Sequence, residues 1–245
     1  MGKIVAIGGG EIGRPGYPIE TTKIDKEIIK LTGKNRPKFL FVPTASSDNE
    51  VYIRTVKKHF GQSLGCKVNT LYLIKEKPSF QTISNKILNS DIIYVGGGNT
   101  LRLIKYLRKT GVDKAIKKAY KKGIVLSGLS AGSICWFKKG MSDSIPGKWS
   151  LVRGLGFINA INNVHYSTEK GRKKGFNALI RKEYGVGIAL ENCCALEIID
   201  EEYKIITSNK GANAYKIYSQ KGKLIKKKIK RSKEFRPLSE LLTKR

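Results

Sequence analysis

Two patterns take turns along this chain. Short apolar runs end in glycines or small polar residues, and each is followed by a segment with helical spacing. KIVAIG (3–8) runs into Gly8, Gly9 and Gly10, and 22–31 then places Ile24, Ile28, Ile29 and Leu31 on a helical face. KFLFVPTAS (38–46) reads as a second strand followed by a helix over 49–63, and 68–74 as a third strand followed by a helix near 82–89. DIIYVGGGNT supplies a fourth strand, and helices over 101–109 and 113–122 lead to a fifth, GIVLSG. GLSAGSICWF is expected to turn straight into a helix. Buried apolar strands alternating with amphipathic helices imply an α/β fold: a mostly parallel sheet joined by right-handed crossovers, with helices on both faces.

Beyond residue 151 the pattern shifts to shorter β-like pieces, VGIALE, CCALEII, YKIITS and AYKIYS, expected to extend or flank the sheet as extra C-terminal strands. A length of 245 residues with 40% hydrophobic content suits one domain, 1–245, ending in a basic extension over about 222–245. The formal charge of +29 has its lysines and arginines spread over presumed outer helix faces and the C-terminal end, a solvated surface. No nucleic-acid signature accompanies it, so no specific nucleic-acid partner is expected, only weak adhesion to polyanions that fades with salt. No run reaches the about 18–20 apolar residues of a membrane helix, and the start is unlike a signal peptide, so the expected compartment is the cytosol. Cys66, Cys135, Cys193 and Cys194 show no C-x-x-C spacing, which predicts reduced, mostly buried thiols and no zinc site.

Parallel sheets bind ligands beyond the carboxyl ends of their strands, and Gly8–Gly10, Thr44–Ser46, Gly96–Gly98 and Ser130 all fall at such ends. The sharpest signal is Gly128-Leu129-Ser130-Ala131-Gly132, a G-x-S-x-G between an apolar strand and a helical run, which lifts a serine out of the sheet edge. A serine nucleophile needs a base, and the chain has two histidines. His59 sits in the Lys-rich helix VYIRTVKKHF and reads as a packing residue. His165, in the polar NNVHYSTEKGR after apolar GLGFINAI, reads as a base presented to a cleft.

Asp143, in GMSDS, is the candidate acid that orients the imidazole, with Glu169 its rival; Glu169 could equally bind a substrate amino group. The order Ser130, Asp143, His165 matches α/β-hydrolases superficially, but the separations are too short for that fold. The backbone N–H groups of Ala131 and Gly98 are the candidate oxyanion hole. Neither G-x-G-x-x-G nor G-x-x-x-x-G-K-[ST] is present, which leaves nucleotide binding a minor option.

Together AIGGGEI, IIYVGGGNTLRL, GLSAGSICWF, GMSDS and NVHYSTEKGR closely resemble the peptidase E family of serine peptidases, which includes aspartyl dipeptidases and is related to cyanophycinases. The resemblance spans the chain up to about Tyr218, although Val164 stands before the histidine where the family commonly has proline. It implies a flavodoxin-like sheet akin to class I glutamine amidotransferases, with serine in place of cysteine, and no metal or cofactor. It implies Ser130 as nucleophile, His165 as base, Asp143 as acid, and Gly98 with Ala131 as oxyanion hole. It further implies short peptide substrates, dipeptides with an acidic first residue. Such a carboxylate calls for an arginine, Arg172 or else Arg153, with Asn99 and Glu169 completing the candidate substrate-binding set. A related amide hydrolase of cyanophycinase type and a noncatalytic basic binding protein on the same scaffold are the competing expectations. The oligomeric state is left open.

Overall fold

Residues 92–95 and 125–129 are buried without exception, which only a strand covered on both faces can satisfy. In the computed structural model, which describes residues 2–244, these strands lie at the middle of a mixed sheet. The first half of the chain supplies β1 (Lys3–Ile7), α1 (Thr22–Lys30), β2 (Lys38–Val42), α2 (Glu50–Val56), β3 (Lys67–Thr70), α3 (Phe80–Leu88), β4 (Ile92–Val95), α4 (Thr100–Lys109), α5 (Val112–Lys121) and β5 (Val125–Leu129). The five strands run parallel in the order β1-β5-β4-β2-β3. Side chains alternate between faces as a pleated strand requires. Val5, Phe39, Phe41, Tyr94 and Val125 pack under α1 and α2, while Ile4, Leu40, Ile93, Val95 and Leu126 pack under α3, α4 and α5. Asn49, Ser79 and Asn99 accept backbone N–H bonds at the starts of α2, α3 and α4. The helix expected over 49–63 starts as α2 and passes into a π-helical segment, Lys57–Ser63.

The second half contains α6 (Ala131–Ile134), β6 (Phe137–Ile145), β7 (Lys148–Arg153), β8 (Ile158–Asn163), α7 (Arg172–Lys182), β9 (Val186–Leu190), β10 (Cys194–Ile199), β11 (Glu202–Thr207), β12 (Ala214–Gln220), β13 (Lys223–Lys228), β14 (Arg236–Pro237) and α8 (Leu238–Leu242). The helix expected after Ser130 is a single turn. Every residue from 131 to 137 is buried, so the segment has no polar face for a surface helix to present, and the chain leaves it as strand β6.

Only some of the later strands extend the parallel sheet. CCALEII and YKIITS become β10 and β11, antiparallel additions beside β1. VGIALE and AYKIYS instead join a separate six-stranded sheet, β13-β12-β9-β8-β6-β7, covered by α7 through Phe176 and Ile180. The basic C-terminal segment is woven into both sheets: β13 edges the second and β14 edges the first. Lysines at 226, 227 and 228 are exposed on that outer strand, charge that blunts edge-to-edge pairing. All four cysteines are free and buried. Among the described residues no helix is long and apolar enough to cross a membrane.

Candidate active site

Ser130 lies between β5 and α6 with φ 57° and ψ −114°, a strained turn that carries its side chain out beyond the sheet edge. The flanking glycines have a steric cause. A Cβ at Gly132 would overlap the Val95 carbonyl, and one at Gly128 would overlap the Gly132 carbonyl, so the elbow presses directly on the end of β4.

The end of β1 holds three separate segments in place. The Ser130 N–H donates to Ile7 O at 3.1 Å, the His165 N–H to Gly8 O at 3.0 Å, and the Cys193 N–H to Gly9 O at 2.9 Å. Three successive carbonyls thereby set the spacing of residues 130, 165 and 192. His165 Nε2 is 2.8 Å from Ser130 Oγ, and His165 Nδ1 is 2.7 Å from Asn192 Oδ1. An amide oxygen only accepts, so Nδ1 carries the ring proton and Nε2 presents its lone pair to the serine hydroxyl. A Cβ at Gly9 would overlap both Asn192 Oδ1 and His165 Nδ1, so glycine there permits this contact. Burial pushes the imidazole pKa below its usual value; the Asn192 bond and the Glu169 charge oppose this, and Arg172 adds to it.

Asn192, between β9 and β10, is the imidazole's partner, not Asp143. The Gly8 and Gly9 carbonyls hold the His165 and Cys193 N–H groups next to each other, which brings Asn192 to the imidazole. On β6, Ser144 Oγ accepts the Thr100 and Leu101 N–H groups at 2.8 and 3.3 Å, whereas Asp143, one residue earlier and within an irregular stretch of the β6–β7 pairing, is exposed. Its carboxylate makes no hydrogen bond among the described residues, and its charge acts on His165 less than those of Glu169 and Arg172.

The expected substrate-binding residues are also employed elsewhere. Arg172 is buried; its Nε donates to Glu169 Oε2 at 2.6 Å, its Nη1 to Asn163 Oδ1 at 3.3 Å, and its guanidinium stacks over Trp149. The Glu169 N–H turns back to His165 O, so Glu169 and Arg172 brace the loop that carries the histidine. Asn99 caps α4, Arg153 is exposed on β7, and none of these four residues lines the cavity beside Ser130. His59 pairs at 2.8 Å with buried Asp25, which also accepts from Thr21, and serves packing.

The cavity, about 540 Å³, opens from Ser130, His165 and Asn192 along Gly97, Gly98 and Tyr52. Neither the Gly98 nor the Ala131 N–H donates to another described residue. A Cβ at Gly98, whose φ is 135°, would overlap the Ala45 carbonyl. The far wall is the loop after β1, closed by a bridge between Ile12 and Ile19. There Arg14 pairs with Glu11, and the Glu11 N–H donates to Glu20 Oε2 at 2.9 Å. Sequence reasoning missed Asn192 and this wall; the available signal was their position just past apolar strands.

A serine at a strand-to-helix turn, hydrogen-bonded to an imidazole with a fixed tautomer and facing a cavity, defines a serine hydrolase of the α/β class. Relatives agree with that class. The model of peptidase family S51 matches residues 4–206, and the chain belongs to this family of serine peptidases. It is 34% identical to the uncharacterized peptidase YgaJ of Bacillus subtilis (strain 168) over 221 residues, covering 89% of this chain and 92% of that protein. It is 28% identical to peptidase E of Nostoc sp. over 210 residues, 80% and 83% of the two chains. The crystal structure of a peptidase from an acI-B1 actinobacterium has the same fold, with a TM-score of 0.73, 17% identity and 96% coverage of both chains.

Proposed function

We propose that this peptidase is a serine exopeptidase of short peptides, acting through an acyl-enzyme. The observation that carries the proposal is the 2.8 Å contact between Ser130 Oγ and His165 Nε2, with Nδ1 held by Asn192. Ser130 attacks the peptide carbonyl while His165 takes its proton; the oxygen that becomes negative is met by the N–H groups of Gly98 and Ala131. His165 then returns the proton to the leaving amine, and water, deprotonated by the same imidazole, releases the acid. Asn192 orients the ring through a neutral amide.

The cavity volume suits a ligand of a few residues. Glu20 on its wall has one carboxylate oxygen beyond the Glu11 N–H bond, which supports recognition of a free amino end and hence exopeptidase action. For an acidic first residue, implied by the resemblance to aspartyl dipeptidases, the cation on the wall is Arg14, which such a side chain reaches by displacing Glu11. The four buried free thiols fit a reducing compartment, the cytosol.

A dipeptide panel tests the proposal, with Asp, Leu or Lys first, free or acetylated at the amino end, run with wild type and Ser130→Ala. Hydrolysis of free dipeptides, fastest for Asp and lost in Ser130→Ala, is expected. Cleavage of acetylated or long peptides alone, or of a cyanophycin-type amide alone, defeats the exopeptidase reading. Uniform inactivity of the wild type favours a binding protein.

A further inference from the structure

The Tyr52 hydroxyl is a polar group on the cavity wall that the mechanism above leaves unused. Tyr52 sits in the first turn of α2, with its ring edge-on to Phe41 at 5.1 Å, so its direction is set by the core. Its oxygen accepts the Gly97 N–H at 3.2 Å, and a Cβ at Gly97 would be 3.3 Å from Ser130 Cβ. One residue therefore separates the phenol from the serine elbow. The hydroxyl proton has no acceptor among the described residues, and burial pushes the phenol up to about 12, so it stays a donor wherever the imidazole is neutral.

We infer that the Tyr52 O–H is a third donor, beside the Gly98 and Ala131 N–H groups, to the substrate oxygen that becomes negative when Ser130 attacks. The assignment rests on the peptidase reading above. Tyr52 joins two tasks in one atom: its lone pair fixes the Gly97 peptide ahead of Gly98, and its proton faces the reacting carbonyl. A donor aimed at developing charge strengthens its bond only in the transition state, so its loss falls on kcat and spares KM.

The test compares the full-length wild type with Tyr52→Phe on the best dipeptide, measuring kcat, KM, melting temperature and inhibition by a peptide aldehyde, whose hemiacetal with Ser130 carries the same oxygen. Tyr52→Phe should lower kcat by about 100-fold and weaken the aldehyde by a similar factor, with KM within about twofold. The melting temperature should stay near that of the wild type. Replacement of Tyr52 by 3-fluorotyrosine keeps the acceptor for Gly97 and makes the phenol a stronger donor, so kcat should be retained or rise. Three outcomes overturn the inference while leaving the peptidase reading intact: a Tyr52→Phe kcat within threefold of wild type, a slow Tyr52→Phe with unchanged aldehyde inhibition, or a fluorotyrosine protein as slow as Tyr52→Phe. A wild type that hydrolyses no peptide overturns both.

Discussion

His165 Nδ1 donates to Asn192 Oδ1 at 2.7 Å, on the side of the ring away from Ser130. The amide fixes which nitrogen is protonated without contributing a negative charge, so the imidazolium formed during attack is stabilised less than it would be by a carboxylate. Asn192→Ala should cut kcat/KM by about 100-fold or more, because the ring loses both tautomer and orientation. Steady-state kinetics read the loss, and a variant within threefold of wild type would show that Asn192 does not position the base.

The acid limb of the pH profile follows from the same environment. His165 works as a base when neutral, and its pKa is held below the usual histidine value, first by burial. Activity should therefore persist as pH falls past about 6.5, where an unperturbed histidine would be half-protonated. Asn192→Asp places a charge beside Nδ1 and should move the limb to higher pH. The unfolded chain takes up this proton more readily than the folded one. Folding stability from this group is therefore full above about 6.5 and is lost as pH falls through the lower folded value. Kinetics and urea unfolding across pH 5–8 check both signs.

Asp143 should be dispensable. Its carboxylate is exposed and has no hydrogen-bond partner among the described residues, so Asp143→Asn is expected to leave kcat/KM within about threefold of wild type. A loss of about 100-fold or more would instead place the aspartate in the machinery despite its exposure.

Arg172 should matter through stability. Arg172→Ala removes a buried guanidinium from Glu169, Asn163 and Trp149, and should destabilise the protein by about 2–3 kcal/mol in urea unfolding. Remaining activity should lack any change in preference for the first substrate residue. A selective loss of acidic substrates would return Arg172 to the binding site.

Gly9 should be intolerant of any side chain. In Gly9→Ala the new methyl overlaps the atoms of the His165–Asn192 contact, so activity is expected to drop by at least about 100-fold while the fold survives, since the clash lies at a strand end. Circular dichroism together with kinetics separates the two effects.

Local chemistry was enough to read much of this protein from its chain. The two-residue and 3.6-residue periods marked the parallel strands and their helices, G-x-S-x-G marked Ser130, and the small number of histidines, with their surroundings, singled out His165. What stayed hidden depended on strand order. Asn192 reaches His165 because β10 pairs with β1 on the side opposite β5, so that the carbonyls of Ile7, Gly8 and Gly9 gather three distant segments. Asp143 is left exposed on β6 while Asn192 takes the place beside Nδ1, and VGIALE parts from CCALEII because the chain changes sheets between them. Periodicity is a property of neighbours in sequence and is written there directly. Convergence of polar side chains at a sheet edge is set by which strands pair, and long-range packing alone decides that.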